Sequence, residues 1–464
     1  MIECPFCGES FDEDDLVFEF GWGEVATFFY NRKQLSSAPK NEYRDRPFYV
    51  SFRYGRGGRV VLDRCDTTVN PSRHPVTDPM KSGDNGWDQI VQLLSGHRVF
   101  QTFCRREDRS LPVCAGILPM VKDGKKRGAP QSEGMSTGIF CPICEQQLKP
   151  ELLRAEAEVR ILLSGRPGSG KTVYVTQAIS ELMQGRLAQE FTIEPANYSV
   201  QKHYSDNKDR LKSMGSGFVL ATNPGVMQDP YIFLMRNSKN TIRLVIQDIA
   251  GEDTENRTKY SRMVRKADML LFFIDPWHIE EVRTAHKRLG DQTNAIVDRS
   301  TQGKYTDLSG IFQQMLSTVD RTFTEQSGQL AGLLLIKGDY LLPPMLSDGD
   351  NPEFQMMQQP IPFNDPEEME FALGMRSSFI RQCLHEWDST RIMARDIESK
   401  YAASNTRYFI SSALGQSTHL RQTDDGDDDP GFWDYDEQVL ESPARPMNVI
   451  DPILWCLKRK GINF

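Results

Sequence analysis

Long apolar stretches are missing from this chain. The longest, such as Leu333 to Ile336 and Met269 to Ile274, fall far short of the ~20 residues that a membrane-spanning helix needs, so no membrane partner is expected. A basic excess is missing too: 55 Lys and Arg stand against 64 Asp and Glu, a formal net charge of -9. That balance argues against a general nucleic-acid binder, which needs a basic face to displace counterions. Two crowded basic stretches, one at Arg53, Arg56, Arg59 and Arg64 and the other at Lys122, Lys125, Lys126 and Arg127, read more simply as solvated loops and hairpin edges. The opening MIECPFCGES lacks the basic start and apolar run of a secretory leader, which predicts a cytoplasmic protein. An even set of cysteines, the mark of a disulfide framework, is also lacking. There are nine, and four of them form two CPxC pairs, a pattern that in a reducing compartment points to metal ligation.

What remains is an ordinary globular composition. Hydrophobic residues make up 39% of 464 positions and the mean hydropathy is -0.50, enough for about two to four domains with full cores. The first segment opens with Cys4-Pro5-Phe6-Cys7 and closes with Cys141-Pro142-Ile143-Cys144. Between them, Phe48 to Tyr54 and Arg59 to Arg64 flank a Gly-rich turn and predict a β-hairpin. Trp87 to Leu94 predicts a short helix, and 122–138 has the composition of a linker. From Glu151 onward the pattern becomes strand–loop–helix alternation, which predicts an α/β domain with a largely parallel sheet. Its strands are expected at 159–163, 242–246, 269–274, 333–336 and 408–410. Helices are expected at 173–183, 279–289, 308–323, 367–387, 389–401 and 449–460. Two stretches interrupt the alternation, the Pro- and Asp-rich 343–365 and the acidic 415–446.

Chemistry enters at Gly165-Arg166-Pro167-Gly168-Ser169-Gly170-Lys171-Thr172, a full GxxxxGK[ST] match between an apolar strand and a helix. A glycine-rich turn can match by chance, but the flanking elements argue against that. Glycines let backbone N–H groups close around phosphate, and the following helix turns its positive end to the same anion. Lys171 is expected to reach the β- and γ-phosphates, and Thr172 to offer its hydroxyl to magnesium. Asp248-Ile249-Ala250-Gly251-Glu252 follows another strand. Asp248 at that tip can hold magnesium, and the Gly251 N–H can sense a γ-phosphate. An Asp–Gly turn is the plain alternative, and the preceding strand and the upstream GxxxxGK[ST] match argue against it. Farther on, Ile336-Lys337-Gly338-Asp339 supplies a carboxylate, Asp339, that can accept two hydrogen bonds from a guanine edge. Adenine would leave it unpaired. Lys337 can lay its stem along the base. Ser411-Ser412-Ala413-Leu414 follows the last strand, and backbone N–H groups at Ser412, Ala413 and Leu414 can meet the guanine oxygen.

With these motifs in order, the stretch from about 158 to 464 resembles the TRAFAC class of GTPases with a Ras-like core. In detail it is similar to the double-GTPase families associated with prokaryotic conflict systems, through DIAGE, Asp275-Pro276 and Asp451-Pro452-Ile453-Leu454-Trp455. The resemblance implies a P-loop NTPase three-layer sandwich, GTP/GDP and magnesium as ligands, and a switch threonine. Thr222 is the candidate, with Thr192 and Thr241 as rivals. It also implies slow GTP hydrolysis and action through a protein effector, a second GTPase or self-association. Two departures matter. Ile336 stands where the family has Asn or Thr, and Glu252 stands where Ras-like enzymes have the Gln that orients water. No arginine finger is assigned. A nucleotide-binding scaffold without turnover, a P-loop ATPase or kinase-like enzyme, and a nucleic-acid module regulated by GTP are the alternatives.

Each CPxC can present two thiolates from one turn, and two turns complete a tetrahedral Cys4 zinc site at Cys4, Cys7, Cys141 and Cys144. The expected organisation is a split zinc ribbon, 1–10 and 138–150, carrying an α+β insertion at 11–137, ahead of the GTPase domain at 151–464. A redox CxxC is a poorer reading, because no surrounding βαβ pattern supports it. Separate sites using Cys65, Cys104 or Cys114 are a further alternative. Cys383 and Cys456 sit in apolar helical contexts and are expected in the core.

Overall fold

The computed structural model describes residues 2–11, 15–21, 47–54, 60–66, 119–120, 133–134, 136–153, 155–165, 169–184, 187, 191–207, 229–238, 240–250, 263–287, 328–345, 356–357, 359, 361–362, 365–415, 419–421, 437–439 and 445–462. The chain divides into two compact units, Met1–Glu156 and Ala157–Phe464.

The first unit holds β1 (Ile2–Glu3), β2 (Ser10–Phe11), β3 (Val17–Gly21), β4 (Pro47–Tyr54), β5 (Val60–Asp66), β6 (Pro119–Met120), β7 (Glu133–Gly134), β8 (Ser136–Phe140), β9 (Gln147–Leu148) and the short helix α1 (Pro150–Leu153). The predicted hairpin is present as β4–β5, antiparallel with a bulge between Ser51 and Phe52. It does not stand apart from the cysteine hairpins. One antiparallel sheet runs β5-β4-β3-β8-β9, so the strand leading into the second CPxC turn is hydrogen-bonded, through β3, to the inserted segment. The helix expected at 87–94 lies outside the described residues.

The second unit carries β10 (Ala157–Gly165), α2 (Lys171–Gln184), β11 (Thr192–Pro195), α3 (Tyr198–Asn207), β12 (Tyr231–Arg236), β13 (Thr241–Ala250), β14 (Met269–Ile274), α4 (Glu280–Lys287), β15 (Leu330–Leu335), α5 (Gly338–Met345), α6 (Pro366–Glu386), α7 (Asp388–Lys400), β16 (Thr406–Ile410), β17 (His419–Arg421), β18 (Glu437–Val439) and α8 (Asp451–Arg459). Seven strands form one sheet in the order β11-β12-β13-β10-β14-β15-β16. Strands β13, β10, β14, β15 and β16 are parallel, and β12 and β11 add antiparallel pairs at one side. Apolar runs make the central strands because both faces are covered: β14 and β15 are buried at every position, as parallel strands between helical layers must be. One core packs α2 and α8 against one face through Ile179, Leu182, Leu454 and Trp455. The other packs α6 and α7 through Ile380, Leu384, Met393 and Ile397. The result is an α/β fold with a mixed, mostly parallel sheet, as the alternating pattern predicts.

Two antiparallel strands, β11 and β12, and helix α3 were not foreseen. The helix expected at 308–323 lies outside the described residues. Among the described residues no helix is long and apolar enough to cross a membrane.

The order of the sheet positions the site. The chain leaves β10 toward β13, then crosses to β14 on the other side. Such a reversal opens a crevice at the carboxyl ends of the strands, the usual place for a ligand in an open α/β sheet.

Candidate functional site

Strand β10 delivers Gly165 to that crevice, and α2 leaves it at Lys171. Arg166, Pro167 and Gly168 lie outside the described residues; Ser169, Gly170, Lys171 and Thr172 lie within them. Gly170 adopts φ 86°, a left-handed conformation in which a side chain is strained. A Cβ on Gly165 would stand 2.7 Å from the Cβ of Phe273, so only glycine lets β14 approach here. Lys171 turns back to the end of β10, where its Nζ donates to the Gly165 carbonyl at 2.7 Å. The side chain is 7% exposed. Burial pulls its pKa down, and the charge of Asp248 opposes the shift. Asp248 pairs in register with Leu163, which brings it beside the loop. Burial raises its pKa while Lys171 opposes the rise. The Oδ1 of Asp248 and the Oγ of Ser169 are buried with no hydrogen-bond partner. Buried polar atoms normally have partners, so a carboxylate and a hydroxyl left unmatched beside a buried ammonium fit an anion accompanied by a cation.

The ends of β15 and β16 build the second half. Lys337 sits at φ 53°, where the chain turns out of the sheet into α5. Its Nζ lies 2.8 Å from Asp275 Oδ2, and Asp275 Oδ1 accepts the Trp277 N–H at 3.1 Å. Asp339 Oδ1 accepts a hydrogen bond from the Ser412 hydroxyl at 2.5 Å, and Ser412 Oγ in turn accepts the Gly415 N–H at 2.7 Å. Burial pushes the Asp339 carboxyl up to about 6, against the lowering effect of Ser412 and Lys337. Ile336, which departs from the pattern the sequence resembles, is buried and packs toward Gly170: its Cδ1 would lie 3.4 Å from a Cβ there. An apolar contact thus stands where an Asn side chain would make polar ones.

Some expectations are narrowed. The Ser412 N–H is bonded to the Met447 carbonyl at 3.0 Å, so an N–H offered to a base falls to Ala413 and Leu414, while Ser412 contributes its hydroxyl. Thr222, Gly251 and Glu252 lie outside the described residues. Both rivals for the switch threonine fall at the wrong edge of the sheet. Thr241 opens β13 opposite Arg236, and Thr192 opens β11 opposite the same Arg236. Thr241 is seven positions before Asp248, about 23 Å along an extended strand.

Sequence reasoning missed Asp275 as the partner of Lys337. The available signal was an acidic residue at the tip of a fully apolar strand adjacent to the Lys337 strand. It also missed the Ser412 hydroxyl, because residue order says nothing about which way a side chain turns at a strand end.

In the first unit the two CPxC turns are near copies. Gly8 N–H bonds to Cys4 O at 2.9 Å and Glu145 N–H to Cys141 O at 3.1 Å; Cys4 N–H bonds to Glu9 O and Cys141 N–H to Gln146 O. Gly8 and Glu145 share a positive φ, 70° and 65°. The Cys4 and Cys144 sulfurs lie 3.7 Å apart and those of Cys7 and Cys141 4.0 Å, with all four ligand atoms within 4.8 Å of one another. Sulfurs held tetrahedrally at about 2.3 Å from zinc stand about 3.8 Å apart. The separations are too long for disulfides, and none of the four cysteines forms one. Their titrations are linked. S–H donation from its neighbours holds Cys141 well below the usual thiol range, while Cys4, bonded to the other sulfurs and buried, is pushed well above it. A divalent cation would replace that sharing of protons by four thiolate bonds. The four cysteines of the expected ribbon are therefore together in one cluster that suits zinc. Cys383 and Cys456 are buried in helices, as expected.

No protein-family model matches this chain, and no curated protein matches it.

Proposed function

We propose that this chain binds a guanine nucleotide with magnesium at the carboxyl end of its parallel sheet, hydrolyses GTP slowly, and works as a switch read by a protein partner. The observation that carries the reading is Asp339: a half-buried carboxylate, backed by Ser412, at the same sheet end as Lys171 and Asp248. Strand β15 lies two strands from β10, about 10 Å across the sheet, so base-reading and phosphate-holding groups stand apart as a nucleotide requires.

Lys171 supplies a fixed positive charge for the β- and γ-phosphates, and leaving the Gly165 carbonyl frees it to do so. Thr172 and Asp248 would hold magnesium, which when bound neutralises phosphate charge. The Asp339 carboxylate accepts from the guanine N1–H and amine with the lone pairs that Ser412 leaves open. The Asp275 carboxylate holds Lys337 at the tip of β15, so that its alkyl stem is placed to cover the base. Thr222, Gly251 and Glu252 are assigned by the resemblance to the γ-phosphate side. The carboxylate of Glu252 in place of Gln argues for slow turnover. In the first unit, Cys4, Cys7, Cys141 and Cys144 would hold zinc in a closed structural site, which contributes folding free energy and no chemistry.

Native mass spectrometry of the purified chain tests the two ligands together, with one zinc and one guanine nucleotide expected. Asp339→Asn should move the preference from guanine to xanthine nucleotides by about 100-fold, because the amide presents a donor where the carboxylate accepted. Equal binding of ATP and GTP by the unaltered chain would sink the reading.

A further inference from the structure

Helix α3 ends at Asn207, and the segment that follows it, 208–228, carries Thr222. Near that end, His203 reaches α2 and β12. Its Nε2 is 2.7 Å from Thr176 Oγ1 and its Nδ1 is 3.2 Å from the Tyr231 hydroxyl. Thr176 in turn donates its hydroxyl proton to the Thr172 carbonyl at 2.8 Å. The proton count fixes the direction. Thr176 has one hydrogen and gives it to Thr172, so its oxygen accepts from Nε2–H. A neutral ring then has Nδ1 as acceptor, and the Tyr231 O–H donates to it. Burial keeps the ring neutral by pulling its pKa down to about 4. Thr176 and Tyr231 are almost fully buried, and the His203 and Tyr231 rings also meet edge to face at 5.1 Å. Three elements, β12, α3 and α2, are thereby joined in one chain of hydrogen bonds that ends on the backbone of Thr172. Helix α3 also touches the far end of α2, where Gln184 Nε2 bonds to the Tyr204 hydroxyl.

We propose that His203 is a positioning residue that couples the first turn of α2, and with it Thr172, the magnesium ligand of the reading above, to α3 and β12. This rests on the nucleotide reading above and adds to it a route by which occupancy of the phosphate site is reported outward. The coupling is physical rather than inferred from proximity. A shift of the Thr172 backbone as its hydroxyl meets a bound ion must either stretch the Thr176 bond or move His203 with it. In a buried chain of hydrogen bonds, the broken bond is the costlier outcome.

The test uses the whole chain and a non-hydrolysable guanine triphosphate analogue, with and without magnesium. In the unaltered chain, hydrogen exchange across 198–207 should slow when analogue and magnesium are added together. His203→Phe keeps a ring but neither nitrogen, and Thr176→Val keeps the shape but not the hydroxyl. Each should weaken magnesium-dependent binding about tenfold, leave binding in EDTA unchanged, and abolish the exchange response of 198–207. His203→Gln, which retains a donor near Nε2, should restore most of both. Should His203→Phe prove unstable, Thr176→Val decides alone. Variants that melt with the unaltered chain and keep both responses would overturn the coupling while leaving the nucleotide site standing. An unaltered chain that binds no guanine nucleotide would remove the site and the coupling together.

Discussion

The two edges of the parallel sheet treat buried charge in opposite ways. At the amino-terminal edge the charges are matched to one another. Arg160 is 1% exposed, and its guanidinium lies 2.6 Å from Glu158. Arg243 bonds the other oxygen of the same carboxylate. Asp268 accepts the Arg160 backbone N–H at 2.8 Å and pairs with Lys460 at 2.6 Å. At the carboxyl-terminal edge, Lys171 spends its ammonium on a carbonyl, and Asp248 Oδ1 and Ser169 Oγ have no partner. Both edges use strong, buried polar groups. The charges of the first are matched and hold the fold; at the second, beside the matched Asp275–Lys337 pair, the group around Lys171 is left open, where buried polar atoms normally have partners.

The contrast can be broken most severely at the matched edge. Glu158→Gln leaves two buried guanidinium groups without their shared carboxylate, and unfolding by denaturant should show a loss of about 3–5 kcal/mol. Guanine nucleotide affinity, measured well below the transition, should stay within about twofold. At the open edge Lys171→Ala should do the reverse. Nucleotide affinity by calorimetry should fall by about 100-fold, a loss of about 2.7 kcal/mol, and stability should hardly fall, because the lysine is itself an unfavourably buried charge. If Lys171→Ala leaves affinity intact, the phosphate site is elsewhere.

A milder test is pH. The Asp339 carboxyl titrates at about 6 in the folded chain and near 3.9 when unfolded. The folded state thus binds more protons between those values, and this group lowers stability as pH rises through that window. Guanine recognition needs the ionised form, so affinity should fall about tenfold per unit once pH drops below about 6. A flat affinity from pH 7 to 5 would detach Asp339 from the base. The smallest expected effect is Asp275→Asn. Losing the charge that holds Lys337 should weaken guanine binding about tenfold, or about 1.4 kcal/mol, and an unchanged dissociation constant would show that Lys337 is placed by the turn alone.

Much of the fold was legible from residue order. Strand β14 coincides with its apolar run, Met269 to Ile274, because a strand buried on both faces must be apolar at every position. Helices α6 and α7 lie within a residue of their expected bounds, since Asp365 and Pro366 mark the start of α6 by side-chain capping. Strand β12 was harder to read. Its run YIFLMR is as apolar as the others, but it enters as an antiparallel pair outside the strand–helix alternation that guided the reading. The cysteine centre was legible as well, because two identical turns carry the same short-range geometry wherever the chain places them.

By itself, the sequence determined which local structures form and which chemistry each can offer: a glycine-rich stretch between a strand and a helix, carboxylates at strand ends, two thiolate-bearing turns. These depend on neighbours a few residues apart, through backbone conformation and hydrophobic period. Only the tertiary structure decided which of those groups meet. Asp275 holds Lys337, Ser412 holds Asp339, and His203 reaches Thr176 across separations of 62, 73 and 27 positions. Such pairings are set by strand order and by the direction in which side chains leave the strand ends, and no local rule encodes either.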